Sequence, residues 1–251
     1  MIRNAIILAA GLGNRLLPLT KDIPKCLLSV GGKTILEHQI DRLLRAEVNN
    51  ITVVTGYQAE KIHKFLGNRV RWIHNKDYLA TSSLYSFWLA REAATEGFVL
   101  LNADVLFHEE ILFKLLCSPY PDVLTMEPNP NLGEEEMKIH LKKRKVSQIS
   151  KTLKEFDGEN LGIVMFSKEG GQILLKTVDT IIKSGRIDVM IPFAFDRIAK
   201  FHSLYAISSD ELPWIEIDFV EDFEKAKKSI YPSILSMERS NSCSAKVGLK
   251  P

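Results

Sequence analysis

The fold of this chain is decided by the stretch Ala5-Ile6-Ile7-Leu8-Ala9-Ala10-Gly11-Leu12-Gly13-Asn14-Arg15, with Pro24-Lys25 beyond it. The apolar beginning of this stretch predicts a buried strand that ends at a turn of small residues. Alanine and glycine let the backbone approach a ligand closely, so that its N–H groups can bind phosphate oxygens. Because Arg15 and Lys25 add positive charge beside this turn, the stretch predicts a nucleoside triphosphate site.

Two other glycine-rich loops fit this stretch poorly. Gly11 and Gly13 supply the first two glycines of the dinucleotide-binding pattern G-x-G-x-x-G, but its third position is Leu16. The P-loop pattern G-x-x-x-x-G-K-[ST] does not occur in the chain. NAD-dependent oxidation and a P-loop are therefore disfavoured, and a plain surface turn remains the alternative without function.

Length and composition favour one large cytoplasmic domain. The 251 residues carry a formal net charge of +2, which gives no electrostatic case for nucleic acid binding. The three cysteines show no C-x-x-C spacing, so we expect neither a zinc site nor a disulfide framework. The apolar amino terminus is too short for a signal peptide, and no apolar run is long enough to span a membrane.

Strand-like and helix-like patterns alternate over roughly the first half of the chain. The predicted strands are residues 5–9, 51–55, 70–74, 98–102, 122–126, 161–166 and 214–217. A capping box at Thr34-Ile35-Leu36-Glu37 predicts the start of a helix. This alternation predicts an α/β fold with a doubly wound, mostly parallel sheet and a site at the carboxyl ends of its strands.

The alternation of strand-like and helix-like patterns ends near residue 129. Residues 137–149 alternate in polarity and carry Lys142-Lys143-Arg144-Lys145, which predicts a solvated β-hairpin that leaves the main sheet. We expect one domain over residues 1–230, with a nucleotide half at about 1–128 and an acceptor half at about 129–230. The acceptor half would combine a small hairpin and helical insertion with a return to the sheet. The Ser-rich residues 231–251 predict a flexible tail.

Two aspartates each follow a predicted strand. Asp104 comes just after residues 98–102, and Asp218 just after residues 214–217. In a parallel sheet both carboxylates would reach the edge that carries the phosphate loop. Mg²⁺ binds one or two carboxylates together with substrate phosphates. A helix cap at Asp218 and a turn at Asp104 are the simpler alternatives, but the joint placement predicts two Mg²⁺ ligands.

Four segments of the chain resemble one family, the nucleotidyltransferases that activate sugar phosphates and small phosphorylated alcohols. The resemblance is carried by residues 7–16 with 19–28, by Gly32-Lys33-Thr34-Ile35-Leu36-Glu37, by Asn102-Ala103-Asp104 and by Glu216-Ile217-Asp218. It runs from residue 2 to about residue 229 and is densest before residue 110. It implies a Rossmann-like nucleotidyltransferase fold and a Mg²⁺-dependent transfer of a nucleotide.

The resemblance also implies individual roles. Arg15 and Lys25 would hold phosphates as catalytic residues, and Asp104 and Asp218 would bind Mg²⁺. The implied nucleotide-binding residues are Leu8, Ala9, Ala10, Gly11, Gly13, Tyr57, Thr81, Ser82 and Ser83. On the acceptor side, Glu159 and Asp188 are the implied contacts, with a solvated surface acid as the alternative for each.

Within the family, residues 24–28 and 214–218 most resemble the phosphocholine and aminoethylphosphonate cytidylyltransferases. This branch implies CTP as nucleotide, a small phosphorylated alcohol or phosphonate as acceptor, and pyrophosphate as product. The aromatic cage that best binds a quaternary ammonium is not evident where Met190 and Ile191 follow Asp188. Two alternatives stay open: a sugar-1-phosphate nucleotidyltransferase that uses UTP or dTTP, and a non-catalytic nucleotide-binding regulator. A homodimer is also left open.

Overall fold

The computed structural model describes residues 2–247 of the chain. Strands and helices alternate along these residues, as the sequence predicts. The strands are β1 (Asn4–Ala9), β2 (Ser29–Val30), β3 (Lys33–Thr34), β4 (Asn50–Thr55), β5 (Arg71–His74), β6 (Phe98–Asn102), β7 (Val105–Phe107), β8 (Val123–Pro128), β9 (Lys138–Lys142), β10 (Lys145–Ser150), β11 (Gly158–Phe166), β12 (Tyr205–Ser208) and β13 (Trp214–Glu216). The α-helices are α1 (Ile35–Arg45), α2 (Ala59–Leu66), α3 (Ser83–Leu89), α4 (Glu109–Leu116), α5 (Lys168–Lys183), α6 (Pro192–Ile198), α7 (Val220–Lys225) and α8 (Tyr231–Val247).

Nine strands form one mixed sheet in the order β5-β4-β1-β6-β11-β8-β12-β10-β9. Strand β1 lies between β4 and β6 and pairs in parallel with both. Strands β10 and β11 run against the other seven. The prediction of an α/β fold is confirmed, with antiparallel strands confined to the part of the sheet beyond β6.

The apolar stretch that opens the chain packs on both faces of this sheet. Ile6 and Leu8 contact a core formed with α3, α5 and α6, whereas Ala5, Ile7 and Ala9 contact a core formed with α1, α2 and α4. Successive side chains of a strand point to opposite faces, so a continuous apolar run fits a strand that is covered on both sides.

The predicted capping box of α1 is confirmed. The Thr34 hydroxyl oxygen accepts a hydrogen bond from the Glu37 N–H at 3.1 Å, and the Glu37 carboxylate accepts from the Thr34 N–H at 2.9 Å. These two bonds satisfy backbone donors that the first turn of a helix leaves unpaired. They fix the beginning of α1, which covers the sheet beside β1.

One predicted strand lies outside the main sheet. Strand β13 pairs antiparallel with β7 in a separate two-stranded ribbon, in which Val105 is opposite Glu216. The expectation that residues 214–217 end at an edge of the parallel sheet is therefore wrong. The ribbon, rather than the sheet, carries the segment that leads to Asp218.

The basic hairpin also differs from expectation. Strands β9 and β10 pair with each other, and they join the main sheet through β11 and β12. The prediction that this hairpin leaves the sheet is wrong, because Lys138 and Ile139 pair with Glu159 and Gly158 of β11. The hairpin extends the sheet at the end opposite β5.

Helix α8 occupies residues for which the sequence predicts a flexible tail. Its Ile234 is fully buried, in a cluster that also contains Leu106 and Ile215 of the β7–β13 ribbon. The Tyr231 ring lies 5.2 Å from the His38 ring. The prediction is wrong for this part of the helix, and residues 248–251 of the predicted tail lie outside the described residues. Among residues 2–247, no helix combines the length and apolarity needed to cross a membrane.

Candidate active site

A cavity of about 530 Å³ opens where β1 and β6 end. Its walls come from the amino-terminal loop, the start of α3, the ribbon and the beginning of the acceptor half. Twelve predicted site residues line it: Leu8, Ala9, Ala10, Gly11, Gly13, Arg15, Lys25, Thr81, Ser82, Ser83, Asp104 and Asp218. The structure thus brings together residues that are up to about two hundred positions apart in the sequence.

Glycine is required at two points around the amino-terminal loop. Gly13 has a φ of +67°, and a Cβ there would lie 3.2 Å from Cβ of Lys25. A Cβ on Gly56, which follows β4, would lie 2.5 Å from the Ala10 carbonyl oxygen. A larger residue would be strained at Gly13, because of its positive φ, and would push the Ala10 backbone away at Gly56. The loop is therefore held close to both Lys25 and the neighbouring strand end.

Three carboxylates form a cluster at one wall of the cavity. One oxygen from each of Asp104, Glu216 and Asp218 lies within 4.8 Å of the others. The ribbon explains this arrangement, since the Ile217 N–H donates to the Asp104 carbonyl oxygen at 3.0 Å. Glu216 was missed in the sequence analysis. Its signal was the spacing of two from Asp218, which places both side chains on one face of an extended segment.

Lys25 lies between two of these carboxylates. Its Nζ is 2.9 Å from Asp104 Oδ2 and 2.5 Å from Asp218 Oδ1. Burial alone would lower the pKa of Lys25, but the charges of Asp104 and Asp218 outweigh it and raise the pKa above its ordinary value. The Lys25 ammonium is therefore charged throughout the physiological pH range.

Arg15 contacts the same cluster from the more exposed side. Its Nη2 lies 2.6 Å from Asp218 Oδ2, and its Nη1 lies 2.7 Å from Glu135 Oε2. Burial raises the pKa of Asp218, but Lys25 and Arg15 together hold it below its ordinary value. The Glu135 carboxylate also accepts from Lys151 Nζ at 3.2 Å. Glu135 and Lys151 both line the cavity, and the sequence analysis identified neither.

The carboxylate cluster has the chemistry of a divalent cation site. Asp104 Oδ1 is buried and has no hydrogen-bond partner among the described residues. Burial first, and then the charges of Asp104 and Asp218, raise the pKa of Glu216 to about 8. The unpartnered Asp104 Oδ1 leaves one carboxylate oxygen of the cluster open to a further ligand. Three hard oxygen donors around an open cavity fit Mg²⁺.

The turn before α3 forms the opposite wall. Buried Asn75 organises it, since its Nδ2 donates to Thr81 Oγ1 at 3.0 Å and to Ser86 Oγ at 3.1 Å. Ser83 Oγ accepts from the Ile191 N–H at 2.9 Å, which ties this turn to the acceptor half. Asn75 lines the cavity and was missed, because a lone asparagine in a turn carries no distinctive pattern.

Three predicted site residues do not reach the cavity. The Tyr57 hydroxyl donates to the Lys21 carbonyl oxygen at 2.8 Å, and Asp188 is exposed on a loop. Glu159 lies beside Glu127, its partner across the β11–β8 pair. Burial first, and then Glu136 and Glu127, raise the pKa of Glu159 to about 7.

Asn160, the neighbour of Glu159, lies at the cavity wall where Glu159 was expected. Asn160 lines the cavity and is only 6% exposed. The alternation of side chains along β11 explains the difference, because adjacent residues of a strand face opposite sides of the sheet. The structure therefore places Asn160, and not Glu159, among the residues that line the cavity, and the acceptor role of Glu159 stays a prediction.

Several known proteins are similar to this chain in sequence. A family model described as the MobA-like NTP transferase domain matches residues 5–135. The CTP:phosphoglutamine cytidylyltransferase of Campylobacter jejuni is 25% identical over 249 residues, which cover 88% of this chain and 98% of that protein. The choline-phosphate cytidylyltransferase of Streptococcus pneumoniae is 36% identical over 118 residues, which cover 46% of this chain and 51% of that protein.

A solved structure shows the same fold over nearly the whole chain. The CTP:phosphocholine cytidylyltransferase from Streptococcus pneumoniae superimposes with a TM-score of 0.76 at 24% identity. The match covers 91% of this chain and 99% of that one. The Rossmann-like α/β architecture is thus shared, beyond the part of the chain that the family model matches.

Proposed function

The chain belongs to the family of MobA-like NTP transferase domains and is a nucleotidyltransferase, and from this premise we propose that it is a Mg²⁺-dependent cytidylyltransferase. In this proposal it transfers CMP from CTP to a small phosphorylated alcohol or a phosphonate. The observation that carries the proposal is the contact of Lys25 with Asp104 and Asp218 at the wall of one cavity. The activities named for the relatives in Campylobacter jejuni and Streptococcus pneumoniae support CTP as the nucleotide.

The proposed reaction is a substitution at the α-phosphorus of CTP. A phosphate or phosphonate oxygen of the acceptor forms a new P–O bond, and the bond from the α-phosphorus to the oxygen that bridges it to the β-phosphorus breaks. The leaving electron pair stays on pyrophosphate. The attacking oxygen is already anionic, so no general base is required. The main task of the protein is to hold two polyanions in line and reduce their repulsion.

Asp104, Glu216 and Asp218 would hold the metal ion. When bound, Mg²⁺ would neutralise charge on the transferred phosphoryl group and on the leaving group. The unpartnered Asp104 Oδ1 supports this assignment, because a buried carboxylate oxygen needs either a hydrogen bond or a cation.

Lys25 and Arg15 would supply positive charge from the protein, in addition to that of the metal ion. Lys25 Nζ is held by two carboxylates, and the Cβ of Lys25 lies next to Gly13 of the loop. Its charge would therefore act on a phosphate bound at this loop. Arg15 is 43% exposed in its side chain. It can exchange the Glu135 carboxylate for a phosphate oxygen without a large desolvation cost.

The base would be bound at the turn before α3. Thr81, Ser82 and Ser83 carry hydroxyl groups that can donate and accept hydrogen bonds, as the edge of a pyrimidine requires. Asn75 would act as a positioning residue, since its amide fixes Thr81 and Ser86. The backbone of residues 8–13 would contact the ribose and phosphates.

A pyrophosphate-release screen tests the proposal. CTP, UTP, dTTP and GTP are each combined with phosphocholine, phosphoethanolamine, aminoethylphosphonate, inositol phosphate and a hexose 1-phosphate in the presence of Mg²⁺. We expect release with CTP and one of the first four acceptors. Release only with UTP or dTTP and the hexose phosphate would contradict the proposal, and nucleotide binding without any release would indicate a regulator.

A further inference from the structure

A glutamine occupies a core position of helix α1. Leu36, Ile40 and Leu43 lie at the spacing of a buried helical stripe, and position 39 completes the pattern i, i+3, i+4, i+7. Gln39 is as deeply buried as its apolar neighbours, with 0% of the residue exposed. A buried amide is destabilising unless it is hydrogen-bonded. The presence of a polar residue in this stripe therefore needs a reason other than packing.

The amide nitrogen of Gln39 holds two carbonyl groups. Its Nε2 donates to the Asn102 carbonyl oxygen and to the Val105 carbonyl oxygen, each at 2.8 Å. A side-chain amide nitrogen has two N–H donors, so both are used. The two acceptors stand at the end of β6 and at the beginning of β7, with Ala103 and Asp104 between them. One side chain therefore closes the turn that joins these strands.

The oxygen of the same amide is left without a partner. Gln39 Oε1 is buried and accepts no hydrogen bond from any described residue. An unpaired buried acceptor is destabilising, and an apolar side chain of the same length would avoid it. This observation indicates that the two N–H donors, rather than the burial of the side chain, are what Gln39 contributes.

The turn that Gln39 closes carries one of the three clustered carboxylates. The Ala103 N–H donates to the Leu8 carbonyl oxygen at 3.2 Å, which joins the turn to β1. The Asp104 carbonyl oxygen accepts from the Ile217 N–H at 3.0 Å, which joins it to the ribbon. Gln39 adds an attachment to α1. Asp104 Oδ1 has no hydrogen-bond partner of its own among the described residues, so these attachments of the backbone fix where it lies.

On the basis of the proposed Mg²⁺-dependent function, we infer that Gln39 is a positioning residue of the metal site, whose side-chain amide holds the turn that carries Asp104. Gln39 is not among the described residues that line the cavity, so it acts through the turn. Without its two donors, the Asn102 and Val105 carbonyl groups must find other partners, and the turn is no longer held at both ends. The site then keeps its ligands but binds a divalent cation more weakly.

Mn²⁺ binding tests this inference directly. Electron paramagnetic resonance measures free Mn²⁺ in a titration of the whole protein with a non-hydrolysable CTP analogue present. Gln39→Met keeps the length of the side chain and removes both donors, and we expect it to weaken Mn²⁺ binding about tenfold, as loss of a residue that holds a metal ligand does. Leu66→Ala is the matched control. Leu66 is buried in the same apolar core as Leu36 but lies at the end of α2, so this substitution should lower stability and leave Mn²⁺ binding unchanged.

Turnover separates a positioning role from a general structural role. With a substrate pair found in the pyrophosphate screen, we expect Gln39→Met to raise the Mg²⁺ concentration for half-maximal release about tenfold. Saturating Mg²⁺ should restore most of kcat, because Asp104, Glu216 and Asp218 are all still present. A general structural defect would instead lower kcat at every Mg²⁺ concentration and leave the half-saturating concentration unchanged, and that result would overturn the inference.

A second measurement covers the case in which Gln39→Met does not fold, as thermal unfolding would show. In nuclear magnetic resonance spectra of the unmodified protein, the side-chain amide of Gln39 should shift during a Mg²⁺ titration. Its midpoint should equal that of the backbone amide of Asp104. A Gln39 amide that stays unshifted while Asp104 responds would overturn the inference.

The remaining outcomes separate this inference from the proposed function. Equally tight Mn²⁺ binding by Gln39→Met and the unmodified protein, or equal weakening by Leu66→Ala, overturns the inference alone. Absence of Mn²⁺ binding by the unmodified protein overturns the inference together with the metal site. The proposed transfer of CMP fails on different evidence, namely when no combination in the pyrophosphate screen reacts with CTP. The Mn²⁺ titration needs no turnover, so either result can be obtained without the other.

Discussion

Lys25 and Asp218 are separated by 193 positions in the chain, yet Nζ and Oδ1 lie 2.5 Å apart. This ion pair joins the amino-terminal loop region to the ribbon that carries the carboxylate cluster. The pair is largely buried, with 14% and 24% of the two side chains exposed. Its partners are held in place before any substrate arrives, and such preorganisation is what electrostatic catalysis requires.

The first prediction concerns the two cations. We expect Lys25→Ala and Arg15→Ala each to lower kcat by about 10²-fold or more, because each removes charge stabilisation from the transferred phosphoryl group. Steady-state pyrophosphate release measures this effect. Lys33→Ala is the matched control, because Lys33 forms an exposed ion pair with Asp41 outside the cavity. Turnover of Lys25→Ala at the rate of the unmodified protein would contradict the assignment.

The second prediction concerns the carboxylates. Loss of a residue that hydrogen-bonds to a metal ligand weakens metal binding by about 10–100-fold. Loss of a ligand itself should weaken metal binding by at least the same factor. We therefore expect Asp104→Asn to raise the Mg²⁺ concentration for half-maximal turnover about 10²-fold. Glu216→Gln tests the third carboxylate in the same titration. Asp41→Asn serves as control, and an unchanged titration in Asp104→Asn would remove this residue from the site.

The third prediction concerns competition for Arg15. Glu135 binds both Arg15 and Lys151 in the free protein, and an incoming phosphate must replace it. Exposed ion pairs are worth about 0.2–1 kcal/mol, so we expect Glu135→Gln to lower the KM for CTP by up to about fivefold. The exposed neighbour Glu134 provides the control substitution Glu134→Gln. A higher KM in Glu135→Gln would show that this carboxylate assists binding instead.

The fourth prediction concerns pH and stability. The pKa of Glu159 is raised to about 7, above the ordinary value of about 4.3 for a glutamate. Between these two pH values Glu159 keeps its proton in the folded protein and loses it in the unfolded chain. The free energy of unfolding therefore falls as the pH rises through this range. The effect levels off above about pH 7, where both states have lost the proton. We expect Glu159→Gln to raise the Tm at pH 8 and to have a smaller effect at pH 4. An equal change at both values would contradict the assignment.

The fifth prediction concerns helix α8. Ile234 is fully buried against the ribbon, so Ile234→Ala should lower the free energy of unfolding by about 2–5 kcal/mol. Denaturant unfolding measures this change. Met237→Ala, at a position that is 41% exposed, should change stability much less. Equal and small effects of both substitutions would restore the interpretation of this segment as a flexible tail.

Much of the fold could be predicted because its signals are local. The apolar run of β1 and the capping box of α1 act within a few residues, and both are confirmed in place. The amino-terminal loop was predictable for the same reason, since Gly11, Gly13 and Arg15 stand next to each other. Six of the seven predicted strands lie in the main sheet.

The remaining features depend on contacts that are distant in the sequence. The pairing of β7 with β13 leaves no mark in either short segment, so the approach of Asp104 to Asp218 was expected for the wrong reason. Asn160 was not singled out, because the register of β11 decides which of its residues face the cavity and the sequence alone does not fix that register. Helix α8 was missed because its main contact, Ile234, is a single apolar residue among polar ones.

The ribbon has a consequence for how such enzymes can diversify. The pairing of β7 with β13 brings together the segments that carry Asp104 and Asp218, and residues 108–213 form a long excursion that starts and ends at this ribbon. Under the proposed function, replacement of residues 108–213 by the corresponding segment of a relative would exchange the proposed acceptor side, while Asp104 and Asp218 would keep their spacing. Chimeras of this kind would accept new acceptors while the proposed nucleotide-binding part of the chain stays unchanged.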